Sequence, residues 1–378
     1  MAHHDLLIRT GHCLDVANGL DGPADLAIRE GRISAVGALG SDTADRVLDA
    51  RGLQISAGWI DLHVHCYLGG TVISSIDADR DCGVQTGVTT VCDTGSFGAN
   101  DHARFREETR RATTRVLGYL NVSASLGQPI HGDWSLFDQP KTIETLTANR
   151  DHLVGVKVLA SQRHCGNLGL TPVKLGVQAA REAQLPLMAH IGAAPPVIQD
   201  VLELLEPGDV VTHCFKEYPR GIMNGRGRPV PEAWAAAERG VRFDIGHGQD
   251  SFNYTAARQA FAAGFPLHSI STDLHTGCLN GPVYSLGRTM AKFLHLGLGL
   301  PEVVDLVTRG PAVTANRYPE LGSIRVGSCA DLTLFKLEDG PVALTDSQGN
   351  TEQGEVDVVP VATVRAGKLV WSDVELSG

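Results

Sequence analysis

Hydrophobic and polar positions fall into three regimes along the chain. Up to about residue 56, short apolar runs at 5–9, 26–29 and 33–36 are separated by turn signals at Gly22-Pro23 and Glu30-Gly31-Arg32. Such runs predict short strands. The far end looks alike, with runs at 331–335, 361–364 and 368–371 and glycines at 327, 340 and 367 between them. The middle alternates. Apolar strands are predicted near 89–92, 116–122, 154–159, 187–190, 210–213, 241–245 and 269–272, with helix-patterned segments at 101–115, 172–184, 231–239 and 254–263. Together with the apolar run Gly58-Trp59-Ile60-Asp61-Leu62-His63-Val64-His65, these make eight β units, the count of a (β/α)8 TIM barrel in the α/β class. A doubly wound open sheet is the alternative, and the missing glycine-rich dinucleotide fingerprint disfavours it. The expected division is a β-sandwich built from residues 1–56 and 319–378 around a barrel of residues 57–318.

Composition narrows the function classes. The 378 residues are 43% hydrophobic and 20% charged, which is globular, and the formal charge of −11 offers no basic footprint for nucleic acid or anionic membranes. No apolar stretch reaches the roughly 18–20 residues of a membrane span. The chain opens directly into strand-like sequence with no signal peptide, so the expected address is cytoplasmic. The eight cysteines are scattered without a Cys-x-x-Cys pair, which suits reduced, buried thiols better than a disulfide framework. Cys66 and Cys165 are expected near the active face, as packing residues.

The chemistry lies where the strands end. In a strand, residues i and i+2 share a side, so His63 and His65 present two imidazoles to one point. Strand four carries Lys157 inside an apolar run, strand five ends in His190 and strand six in His213. Strand seven leads into Asp244-Ile245-Gly246-His247-Gly248, and strand eight ends in Asp273. Taken singly, His190 or His213 reads equally well as a hydrogen-bonded core histidine, Asp273 as a helix cap and Lys157 as a buried ion-pair partner. In a barrel all these ends meet at one face, where catalytic residues are expected. Their coincidence there argues for a site.

The set His63-x-His65, Lys157, His190, His213 and Asp273 resembles the amidohydrolase superfamily in its two-metal branch. Residues 56–61 resemble that family's entry to strand one, and residues 322–332 its return into the small sandwich. The segments 244–248, 251–252, 210–215 and 270–275 resemble the dihydroorotase-like deacetylase group. The resemblance implies two divalent metal ions, with zinc the first expectation for imidazole and carboxylate donors, bridged by a CO2-derived carbamate on Lys157. It implies His63, His65, Lys157 and Asp273 around one metal, and Lys157, His190 and His213 around the other. Asp273 is implied as the catalytic residue that takes the proton of the attacking hydroxide and passes it to the leaving group. His247, His275, Arg163 and Asn280 are candidates for substrate contact. A homo-oligomer acting on a small molecule is implied as well.

The implied reaction is removal of an acetyl group from an N-acetyl amino acid or an O-acetyl 2-hydroxy acid. Relatives often carry an arginine two places after the bridging lysine; Leu159 stands there, and Arg163, Arg226 or Arg228 could substitute. The first rival is a cyclic amide or lactone hydrolase resembling dihydroorotase or hydantoinase. A one-metal deaminase is disfavoured because Ala193 occupies the place of the glutamate many of those use. An inactive scaffold barrel is disfavoured because none of the six metal-site residues is missing.

Overall fold

The computed structural model describes residues 2–69, 75–124 and 133–376. Both ends of the chain enter one eight-stranded sheet. Its strands are β1 (His3–Asp15), β2 (Leu20–Arg29), β3 (Arg32–Gly37), β4 (Thr43–Asp49) and β5 (Gln54–Ala57) from the first part of the chain. The far end adds β13 (Leu332–Thr345), β14 (Thr351–Arg365) and β15 (Lys368–Ser372). The order is β15-β14-β13-β5-β1-β2-β3, with β4 also pairing β1. The two halves join where β5 meets β13 antiparallel, Ala57 opposite Leu332. Leu6, Ile8, Leu26, Ile28, Ile55 and Leu334 are buried together there, the inward side of each alternating pattern.

Between the two halves lies a parallel sheet of seven consecutive strands: β6 (Trp59–Val64), β7 (Val88–Thr94), β8 (Arg115–Asn121), β9 (Leu153–Ala160), β10 (Leu187–Ile191), β11 (Val210–Thr212) and β12 (Arg242–Asp244). Helices of residues Thr171–Ala183, Pro231–Arg239 and Tyr254–Ala262 follow the predicted segments closely. The first predicted helix is shorter, His102–Thr109, because the Asp79 carboxylate captures the N–H groups of Thr113 and Thr114 at 2.9 and 2.8 Å.

The predicted eighth strand takes an irregular form. Residues 269–274 bridge both open edges, Ser269 to Asp244 and Leu274 to Val64. The amide of His65 donates to Leu274 O at 3.0 Å and that of Asp273 to His63 O at 2.7 Å. Part of the ladder is replaced by a side chain: the fully buried Asp61 carboxylate accepts the Thr272 amide at 3.0 Å and its hydroxyl at 2.5 Å. The barrel is thereby closed.

The small sheet also reaches the barrel's upper face. The turn between β13 and β14 carries Asp346 and Ser347 against the loop after β12. Ser347 Oγ donates to Gly248 O at 3.0 Å and accepts the Phe252 amide at 3.1 Å, while the Ser347 amide donates to Phe252 O at 2.9 Å.

Candidate metal centre and active-site cavity

The strand register carries the site. Asn121 pairs with Lys157, His190 with Thr212 and Thr212 with Asp244, so the strand ends rise to one level. There they line a cavity of about 620 Å³ whose walls include His63, His65, Lys157, His190, His213 and Asp273. All six predicted metal-site residues are thus brought to one cavity.

Each of three imidazoles has one nitrogen tied to the protein. His63 Nδ1 lies 3.0 Å from Thr212 Oγ1, whose hydroxyl donates to Asp244 Oδ2 at 2.7 Å. Asp244 is fully buried and also accepts from Ser269 and Ser271 at 2.6 and 2.8 Å. His65 Nδ1 lies 2.7 Å from Ser96 Oγ, and His213 Nδ1 donates to Gly246 O at 2.7 Å. Such partners fix ring and tautomer and leave Nε2 to the cavity, the arrangement a metal-ligating histidine needs. The Nε2 atoms of His65 and His63 lie 3.0 and 3.4 Å from Asp273 Oδ1. Ligand atoms of His63, His213 and Asp273 all lie within 4.8 Å of one another, and the His190 and His213 ring centroids are 4.3 Å apart.

Electrostatics favour the ligating forms. Burial, reinforced by the Lys157 charge, holds His63 well below the usual imidazole value. Burial and Lys216 lower His190 likewise, and take His213 down to about 3. Burial works to raise Asp273, but the His63 and His213 charges and the His65 hydrogen bond outweigh it and hold its carboxylate well below the usual range. Lys157 Nζ lies 3.0 Å from His63 Nε2, and burial brings its amine down to about 7. Neutral imidazoles, an ionised carboxylate and a lysine with ready access to its free base fit a divalent metal centre.

His213 and Asp273 adopt left-handed backbone, φ 69° and 52°. Such conformations cost on the order of 1–3 kcal/mol each in non-glycine residues and cluster at functional sites. The glycines of Gly246-His247-Gly248 are required by contact. A Cβ on Gly248 would lie 2.3 Å from Asp273 Oδ2, and one on Gly246 would lie 2.4 Å from Thr212 Oγ1.

The four expected substrate contacts divide. His275 and Arg163 line the cavity. His247 lies outside its wall, fully buried, with Lys292 Nζ donating to its Nε2 at 2.7 Å and Phe252 beside its ring at 4.7 Å. It braces the loop whose glycines face the site. Asn280 is exposed in a turn and also lies outside the cavity wall, as do Arg226 and Arg228. Cys66 and Cys165 are buried outside it too, Cys165 donating to Leu159 O. The sequence reading passed over Lys216, His164, Arg220 and Asp250, all of which line the cavity. Lys216 directly follows the run Val210–Phe215, where nothing in the pattern sets it apart from a lysine that reaches solvent.

A closed parallel barrel with this donor set at its strand ends defines a metal-dependent hydrolase. Comparison with known proteins makes the class specific. Residues 324–370 match the model of a deacetylase-like composite domain. A deacetylase of Enterococcus faecalis is 37% identical over 372 residues, spanning 97% of this chain and 99% of that protein. A solved structure described as an adenine deaminase superposes with a TM-score of 0.92 at 36% identity, covering 98% of this chain and all (100%) of that one. Another, described as a dihydroorotase, gives a TM-score of 0.85 at 35% identity over 97% of each chain. The chain belongs to the deacetylase family of the amidohydrolase superfamily, and it is a hydrolytic enzyme acting on C–N bonds.

Proposed function

We propose that the enzyme is a binuclear hydrolase that removes an acetyl or related small acyl group from an N-acylated amino acid or an O-acylated 2-hydroxy acid. The observation that carries this reading is the convergence of His63, His65, Lys157, His190, His213 and Asp273 on one cavity. His63, His65, Lys157 and Asp273 would hold one divalent ion and Lys157, His190 and His213 the other, with zinc the cation that suits the donors. Lys157 would serve both as a carbamate; its supply of the neutral amine, the form that attacks CO2, is supported by a pKa of about 7. When bound, the pair of cations acidifies water and polarises the scissile carbonyl.

Asp273 accepts the proton of the attacking water and delivers it to the leaving nitrogen or oxygen. Its Oδ1 stands 3.0 Å from His65 Nε2 and 3.4 Å from His63 Nε2, among the ligand atoms of the site. His275, whose ring lies 6.2 Å from that of His65, faces the substrate, while Arg163 is an exposed residue of the cavity lining. The reaction belongs in the cytoplasm, where eight unpaired thiols are at home.

A second reading, opening of a cyclic amide, is favoured by the dihydroorotase-described structure of TM-score 0.85. Deamination is not favoured: Ala193 lines the cavity where a deaminase of this superfamily often needs a carboxylate. Metal analysis of chelator-free protein tests the centre, with about two equivalents per chain expected for a two-metal site. No metal even after add-back would overturn it. Assay of acetylated amino and hydroxy acids beside dihydroorotate and hydantoins then decides between the two hydrolyses.

A further inference from the structure

Lys216 is the cavity's unexplained cation. It lies three residues beyond His213, is only 2% exposed, and lines the cavity beside the metal-site residues. Its Nζ donates to Ile191 O at 3.1 Å, the carbonyl next in sequence to His190. The nearest carboxylate, Asp250 Oδ1, stands at 4.0 Å, beyond hydrogen-bond reach, and Asp250 Oδ2 is engaged by Arg220 at 3.2 Å. Arg220 is itself held by Glu217 at 2.7 Å. An ammonium carries three donors. Among the described residues one is used, so a buried charge is left with donors to spare at a ligand-accessible wall. Buried charges are ordinarily closely paired, and one held only by a 4.0 Å ion pair to an exposed carboxylate has donors free for an anionic ligand.

We propose that Lys216 receives the substrate's carboxylate and makes the enzyme select acids in which that carboxylate sits on the carbon bearing the acylated nitrogen or oxygen. This rests on the acyl-hydrolase reading above and specifies its substrate class. The placement argues for the short spacing. Lys216 is buried and anchored to the residue after His190, whereas Arg163 is exposed. Leu159, also in the wall, offers no charge. A carboxylate reaching Lys216 lies close to the scissile bond, and a long ω-amino acid would overshoot it.

The test compares N-acetylglycine, N-acetylglycinamide and N-acetyl-6-aminohexanoate with the metal-loaded wild type, Lys216→Met, Lys216→Gln and Arg163→Met. Lys216→Gln keeps a donor for Ile191 O and guards against a folding defect in the methionine variant. A lost charge-assisted contact predicts a fall in kcat/KM of about 10- to 100-fold on N-acetylglycine, carried by KM. On the amide the change is expected within about threefold, and the wild type is expected to prefer N-acetylglycine to the hexanoate. An equal loss on acid and amide, or no loss on the acid, overturns the assignment; so does a loss with Arg163→Met alone. Calorimetric binding of glycolate separates this from the reaction itself. If the wild type hydrolyses neither these three compounds nor O-acetylglycolate, the acyl-hydrolase reading falls, while weaker glycolate binding in both Lys216 variants still supports an anion site there. Unchanged glycolate binding overturns it.

Discussion

His63 and Asp244 never touch, yet one sets the other: His63 Nδ1 and Asp244 Oδ2 lie 4.0 Å apart with the Thr212 hydroxyl between them. The carboxylate fixes the hydroxyl's direction, and the hydroxyl fixes which nitrogen of His63 carries the proton. Partners of this kind are typically worth about 10- to 100-fold in metal affinity. Thr212→Val should therefore weaken metal binding by about that factor in a chelator competition. Unaltered affinity would show that Thr212 does not orient the ring.

Lys157 contributes chemistry that no neutral replacement supplies. Lys157→Ala is expected to lose nearly all activity and part of its metal, and a small carboxylic acid added to the buffer should restore a fraction of both. Full activity in the variant would sink the two-metal assignment.

Asp273 is expected to separate metal binding from turnover. Asp273→Asn removes the proton acceptor but keeps an oxygen donor, so metal should be partly retained while kcat falls about 10²- to 10⁴-fold. A mild effect on kcat would argue against its proton role.

Acid should destabilise the fold through histidines away from the proposed ligands. Burial lowers His102 and His268 to about 4. His268 has a direct structural reason, since its Nδ1 accepts the Phe243 amide at 3.0 Å. Between about 6.5 and 4 the unfolded chain takes up protons that the folded one refuses, so stability falls as pH falls through that window. Thermal melts at pH 7.5 and 4.5 should show it, and His268→Gln, which keeps an acceptor, should lose less on acidification. Identical pH profiles would refute the assignment to His268.

The sequence displayed those residues whose meaning is local. An i, i+2 pair of histidines, a lysine in an apolar strand and a histidine or aspartate closing a strand are visible without partners. Residues defined by distant partners were not. Asp61 looks like one more strand residue until Thr272, far along the chain, turns out to be its donor. His247 drew attention for its chemistry, whereas the flanking Gly246 and Gly248 face the site. Lys216 hid because a lysine after an apolar run normally reaches solvent. The long β13–β14 hairpin was foreseen only at its base, because alternation fades at 336–341, where β13 leaves the sheet core for the surface.

The turn holding Asp346 and Ser347 is made late in synthesis, yet it clasps the loop next to Asp273. A chain released short of that hairpin can assemble most of its barrel and still lack the brace on its catalytic loop. The barrel's catalytic loop is therefore framed partly from outside the barrel, by a hairpin of the terminal sheet.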